Sequence, residues 1–288
     1  MYEVEFHRPK SIGQALQMLG DYGDNAKITA GGSAIVLMLT QRLIAPRHLV
    51  SLEKLPDLYT LEHDPGIGLH IGAMVTHFQL ESSPLLQAAF PALAETFQQV
   101  ANIRLRHQAT VGGVLCEADY ASDPQTMLMA LGALVKLVGP DGERWLDLSE
   151  FFRDFYQTAL EPNEILSDIF IPEMEPGTGA TYIKFTSRSS EDRPCVGVAA
   201  VVEQNQGVCK RLRVVVGAVA GTPQEYPDVE ALAQGKALNE TLAREIGYAY
   251  AQAIEPISDI RGSSAYRRQI IEVLVRRAVL RAGVSDDH

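Results

Sequence analysis

Two glycine pairs constrain this chain more than any other feature: Ala30-Gly31-Gly32-Ser33 and Thr110-Val111-Gly112-Gly113. Each follows a short run of strand character, Lys27-Ile28-Thr29 in the first case and Gln108-Ala109 in the second. A glycine pair lets the backbone take φ > 0 and lets another group come close to the main chain. Successive free N–H groups in such a turn form a small concavity that attracts anions, phosphate above all. Taken alone, either turn is better explained as a tight bend with no ligand. Together they could grip a dinucleotide diphosphate from opposite sides. Gly-x-Gly-x-x-Gly is absent from the first turn and no Gly-Lys-Ser/Thr follows it, so it is neither a Rossmann fingerprint nor a P-loop.

The length of 288 residues predicts two or three domains of about 100–150 residues each. A net charge of −11, from 25 basic and 36 acidic residues, argues against nucleic acid or an anionic membrane as partner. No apolar stretch approaches the ~20 residues of a membrane span. The start Met1-Tyr2-Glu3-Val4-Glu5-Phe6 lacks the basic and apolar regions of a secretory signal, so a cytoplasmic location is expected. Cys116, Cys195 and Cys209 are too few and too scattered for a disulfide framework or a CxxC metal site, and this chain by itself carries no iron–sulfur cluster. The seven histidines show no ligand spacing, so no metal site is expected. No serine elbow, Cys/His pair or carboxylate dyad stands out, and no catalytic residue is nominated. That pattern points to a cofactor as the source of the chemistry.

The organisation reads as α+β. The first fifty residues alternate strand and helix: Val4–Phe6 extended, a Ser11-x-x-Gln14 capping box opening a helix, then a strand over Ala26–Thr29. A mostly apolar helix follows from Ile35 to Leu43, and a strand from His48 to Leu52. Pro56 and Asp57 mark a break. Residues 58–175 form a second block with a strand at Leu69–Ala73, helices near Thr76–Glu81 and Pro91–Val100, and a helix after Ser122-Asp123-Pro124 closed by Gly132. Pro172 to Gly179 is the best linker, after which strands and closing helices form a separate α+β unit. On the last helix, Ser264–Arg281, the arginines at 267, 268, 276, 277 and 281 are expected on a solvated face, with a subunit contact as the alternative.

Ser33 can add a hydroxyl to the first turn. Asp123 offers a carboxylate of the type that accepts from ribose hydroxyls, although capping of the helix at Pro124 explains it almost as well.

The ordered motifs resemble a known family. Phe6-His7-Arg8-Pro9, Ala30-Gly31-Gly32-Ser33, Ile71-Gly72-Ala73, Ile103-Arg104, Ala109 through Gly113, Ser122-Asp123-Pro124, Ala130-Leu131-Gly132-Ala133, Glu164-Ile165-Leu166, Ile171-Pro172, Lys184-Phe185 with Arg188, and Asp259-Ile260-Arg261 with Tyr266-Arg267-Arg268 run nearly end to end. The chain is similar to the FAD-binding medium subunit of the molybdenum hydroxylases, the group of xanthine dehydrogenase and carbon monoxide dehydrogenase. The resemblance implies a two-subdomain α/β FAD-binding domain of the PCMH or vanillyl-alcohol-oxidase-like kind over 1–176, with subdomains of about 1–56 and 57–176. A small α+β domain over 177–288 would follow, of the CO dehydrogenase flavoprotein type. It implies that Lys27, Ile28, Thr29, Ala30, Gly31, Gly32, Ser33, Ala34 and Ile35 hold the diphosphate. Val100, Ala101, Thr110, Gly112, Gly113 and Asp123 would line the remaining phosphate, ribose and flavin contacts. Ile165 and Leu166 would pack near the isoalloxazine, and Lys184 would reach its pyrimidine edge.

The implied partners are a [2Fe–2S] small subunit and a molybdopterin-binding large subunit, arranged as a dimer of heterotrimers. Electrons would pass from the small subunit to FAD and on to NAD, oxygen or another acceptor. The alternative is a stand-alone FAD-dependent oxidoreductase of the same fold. Two departures stand out: Val114 replaces a frequent Asn, and no four-cysteine insertion is present.

Overall fold

The computed structural model describes residues 4–284. Met1-Tyr2-Glu3 of the signal reading, and the outermost residues of the ranges 1–176 and 177–288, lie outside the described residues.

Three strands, β1 (Glu5–His7), β2 (Ala26–Thr29) and β3 (His48–Ser51), form a parallel sheet in the order β1-β3-β2. The helix Ile12–Tyr22 packs on it through Ala15 and Leu19, opened by Ser11, whose hydroxyl accepts from the Gln14 amide. The expected helix after the first glycine turn is shorter than its apolar run, Ile35–Thr40, and none of its residues is buried. Val36, Leu37 and Leu43 stand largely in the open.

The second sheet is antiparallel, β4-β5-β10-β6-β7, built from β4 (Leu61–Asp64), β5 (Gly68–Gly72), β6 (Leu134–Gly139), β7 (Gly142–Asp147) and β10 (Ile165–Pro172). Between β7 and β10 lies a small two-stranded piece, β8 (Phe152–Asp154) with β9 (Gln157–Thr158). Helices Pro91–Gln98 and Asp123–Ala130 share a core with this sheet that contains Leu69, Phe97, Leu128, Val135 and Ile169.

The chain then enters a third antiparallel sheet, β11 (Thr178–Phe185), β12 (Val196–Asn205) and β13 (Val208–Gly217), in sequence order. Strand alternation gives each face its own core. Tyr182, Ala199 and Val215 face the helices of the second block. Val198, Ala200 and Val214 face the helices Glu240–Ala253 and Ser264–Gly283.

One expectation for the last helix fails. Arg267 is fully buried, its guanidinium held by Asp259 at 2.6 Å and by the Ile257 carbonyl at 3.0 Å. Helical periodicity shows which residues share a stripe but not that a half-buried carboxylate outside the helix awaits one of them.

Candidate functional site

The two glycine turns come together, although not as opposed jaws. A Cβ placed on Gly31 would sit 1.6 Å from the Gln108 carbonyl oxygen, so the first turn runs directly against the backbone entering the second. A Cβ on Gly113 would meet the Ala30 methyl at 3.8 Å. Gly31 therefore permits a main-chain approach that no other residue allows.

The turns differ in what their amides do. The second one is the first turn of a helix, Val111–Glu117, capped by Thr110. Val111 N–H donates to Val75, Gly112 N–H to Ala73, and Gly113 N–H to the Thr110 hydroxyl oxygen. Gly112 is small because Ala73 packs on it, where an added Cβ would stand 2.6 Å from the alanine methyl. The expected second anion concavity is thus spent on internal hydrogen bonds. In the first turn, by contrast, the N–H groups of Gly31, Gly32, Ser33, Ala34 and Ile35 find no acceptor among the described residues. Gly32 at φ +79° supplies the bend. Five successive open amides beside an exposed serine are a donor set for a diphosphate. The group that the resemblance implies fits here. Lys27, Ile28 and Thr29 contribute as the strand that delivers the turn.

Of the remaining expected residues, Ala101 and Lys184 line a cleft of about 290 Å³ together with Gln98, Gln99, Thr186 and Ser190. A larger cleft by Arg144 and Arg153 involves none of the expected residues. Ala101 adopts φ +44°, a strained conformation for a residue with a side chain. The strain is held by Arg106, which donates to the carbonyls of Val100 and Ala101 at 3.0 and 3.2 Å and pairs with Glu81 at 2.8 Å. Lys184 fixes the same segment from the other side, donating to the Gln99 carbonyl at 2.8 Å.

Lys184 also pairs with Asp123 at 3.0 Å, both side chains being 5% exposed. Tyr182 donates to the other carboxylate oxygen at 2.7 Å. Burial pushes the Asp123 carboxyl up, and the Lys184 ammonium and the Tyr182 hydroxyl pull it back. Two expectations change here. Ser122, not Asp123, occupies the cap position of the helix, and it makes no side-chain cap bond. Asp123 meets Lys184 and Tyr182 instead of standing open to a ribose hydroxyl. Ile165 and Leu166, on β10, are 2% and 3% exposed and belong to two different cores, so they back the site from within the protein.

Sequence reading missed Arg106, Glu81, Tyr182 and Gln99. The first two sit in short helices with no telling spacing, and Gln99 acts through its backbone, which leaves no mark in sequence. Burial pushes the Cys116 thiol up to about 12, which makes it unreactive at neutral pH.

His77 packs against Phe97 inside the second block, its backbone N–H donating to the Ala109 carbonyl at 2.9 Å. It is 1% exposed, and burial pushes its imidazole down to about 4, with the Arg106 charge acting in the same direction. The folded protein keeps it neutral, whereas the unfolded chain takes up a proton at about pH 6.5. Stability is therefore full above about pH 6.5 and declines as the pH falls toward 4, by up to roughly 3 kcal/mol. Thermal melts across that window should show the decline, and His77→Leu should flatten it. Parallel profiles for the two proteins would refute the assignment.

Residues 2–174 match the family model for the FAD binding domain in molybdopterin dehydrogenase, and residues 181–282 match that for the CO dehydrogenase flavoprotein C-terminal domain. The chain is 34% identical over 279 residues to the carbon monoxide dehydrogenase medium chain of Afipia carboxidovorans, covering 96% of each. It is 31% identical over 280 residues to the nicotine 6-hydroxylase medium subunit of Paenarthrobacter nicotinovorans, covering 97% of each. The solved structure of carbon monoxide dehydrogenase from Hydrogenophaga pseudoflava superposes with a TM-score of 0.94 at 32% identity, again over 97% of both chains.

Proposed function

The chain belongs to the FAD-binding medium subunits of the molybdenum hydroxylases, and on that premise we propose that it carries FAD as an electron relay between a [2Fe–2S] partner subunit and an external acceptor. The observation that carries the placement of the cofactor is the row of open amides from Gly31 to Ile35. These donors, with the Ser33 hydroxyl, would bind the diphosphate. FAD, when bound, supplies the one- and two-electron redox chemistry that no side chain of this protein offers.

The protein's own residues bind and position. Arg106 and Lys184 hold Gln99, Val100 and Ala101 at the cleft from opposite sides. Lys184 presents a cation to the cleft, where it would stabilise negative charge on a reduced ring, and Asp123 keeps that cation in place. Gln108 and Ala109 brace the first turn at Gly31, Gly113 meets it at Ala30, and Thr110 and Gly112 hold the helix that follows in place. Ile165 and Leu166 form the apolar backing. We assign 1–176 to the FAD-binding domain and 177–288 to the smaller one.

The partners proposed are a molybdopterin-binding large subunit and a [2Fe–2S] small subunit, in a dimer of heterotrimers. The acceptor is NAD, oxygen or another oxidant, and substrate oxidation takes place on the large subunit. The exposed Val36, Leu37 and Leu43 favour such an assembly, because an apolar strip in the open marks an interaction surface. No described helix is long and apolar enough to cross a membrane, which accords with a cytoplasmic location.

Purification tests the reading. The chain expressed alone should carry yellow flavin and should not bleach with substrates of molybdenum hydroxylases until partner subunits are added. Bleaching by substrate without partners would favour the stand-alone oxidoreductase, and a colourless protein that cannot take up FAD would overturn the cofactor assignment.

A further inference from the structure

The N-terminal sheet assembles a cluster that the flavin role does not use. Glu5 and His7 are two apart on β1, so their side chains share a face. His48 is the cross-strand partner of Glu5 on β3, on that same face. His7 Nε2 and His48 Nδ1 stand 3.1 Å apart, and the Glu5 carboxylate oxygen lies 3.7 Å from the first and 3.5 Å from the second.

These spacings have a chemical meaning. A tetrahedral zinc ion with bonds of about 2.0–2.2 Å holds its nitrogen and oxygen ligands roughly 3.4 Å apart. The three edges of the cluster bracket that value. Two imidazole nitrogens and one carboxylate oxygen already converge as they would around one ion. Without an ion, the two ring nitrogens are joined by one N–H···N hydrogen bond, with the Glu5 carboxylate oxygen standing beside both.

The support around the ligands is also that of a site. The Tyr22 ring stacks on His48 with centroids 3.9 Å apart, and both imidazoles are 18% exposed. Two ligands are thus held by strand and stacking, and the more exposed Glu5 closes from outside. Imidazole with carboxylate suits borderline first-row ions over calcium or magnesium, which prefer all-oxygen shells.

We propose that Glu5, His7 and His48 bind one divalent first-row transition ion of the Zn²⁺ type, leaving the remaining coordination to water. Such an ion would clamp β1, which among the described residues pairs with β3 alone, onto the sheet. Sequence spacing missed the site because His7 and His48 lie far apart in the chain and meet only through parallel pairing.

The test uses the full-length, tag-free chain in whatever assembly it purifies, stripped with a chelator. It is titrated with ZnCl₂ by calorimetry and with CoCl₂ by visible absorption, beside Glu5→Gln, His7→Gln and His48→Gln. The expected result is one saturable equivalent per chain, cobalt bands of a four- or five-coordinate ion, and affinity weakened about a hundredfold by either histidine change. Glu5 is exposed enough that its variant folds normally, and it should bind about tenfold more weakly. Zinc should also raise the melting temperature of the parent and not that of the histidine variants. Absence of saturable binding by the parent, or equal affinity in parent and all three variants, would overturn the proposal.

Discussion

Gly31→Ala should produce a protein without flavin and with a melting temperature lowered by roughly 6 °C or more. The added methyl would lie 1.6 Å from the Gln108 carbonyl oxygen, 2.6 Å from its carbon and 3.3 Å from the Ala109 nitrogen. All three atoms are backbone, so no side chain can swing aside, and the two turns must part. Overpacking of this kind costs about 3 kcal/mol or more in a well-packed site, equivalent to about 2 °C per kcal/mol in a chain of this size. The same separation tilts the open amides of residues 31–35 away from their shared direction. Gly32→Ala is the matched comparison: its Cβ would meet nothing nearer than Val36 Cγ2 at 3.7 Å, and its φ of +79° costs a non-glycine residue about 1–2 kcal/mol. Flavin absorbance per chain and melting curves on both variants decide the matter. Gly31→Ala retaining full flavin, or melting no lower than Gly32→Ala, would remove the close approach from the account.

The second large effect is expected at Asp123. Asp123→Ala leaves the Lys184 ammonium, 5% exposed, without its counter-charge, and orphans the Tyr182 hydroxyl. Breaking one side of a buried pair costs about 3–5 kcal/mol, because the surviving charge has lost its solvent as well as its partner. Replacing both members removes that penalty, so Asp123→Leu with Lys184→Met should recover much of the loss, and the two changes should be strongly non-additive. Chemical denaturation of the single and double variants measures the coupling. Additive effects would mean that the pair is not a unit. The double variant also isolates the cation: if it binds FAD with an unchanged reduction potential, Lys184 has no electrostatic role at the ring, whereas a lowered potential supports one.

Much of the secondary structure was legible because it obeys local rules. Thr76 with Gln79 forms a full capping box, Gly132 ends its helix at φ +75°, and the strand expected at Leu69–Ala73 forms over Gly68–Gly72. Residues that act through the chain's long-range geometry were not legible. The glycine pairs marked two turns, yet nothing in their spacing showed that one keeps its amides free and the other spends them on Ala73 and Val75. Asp123 looked like a cap because Asp-Pro usually is one; its partner, Lys184, lies on a strand of another sheet. Arg267 fitted a solvated stripe until Asp259 claimed it. Local sequence carries φ preferences and hydrophobic period, whereas ion pairs between distant elements leave no periodic trace.

The core beneath the parallel sheet imposes an order on synthesis. It joins Ala15, Leu19, Val50, Leu52 and Leu58 to Met74 and to Ile165, the first residue of β10. The first fifty-six residues therefore have secondary structure of their own but lack the last piece of their interior when they leave the ribosome. At about 5–20 residues per second, the wait for Ile165 lasts roughly five to twenty seconds. During that interval the nascent segment carries an unfinished apolar face beside the exposed Val36 and Leu37, a natural moment for chaperone capture. Completion of the first subdomain and of the second sheet is thus one event, timed by the arrival of a single strand.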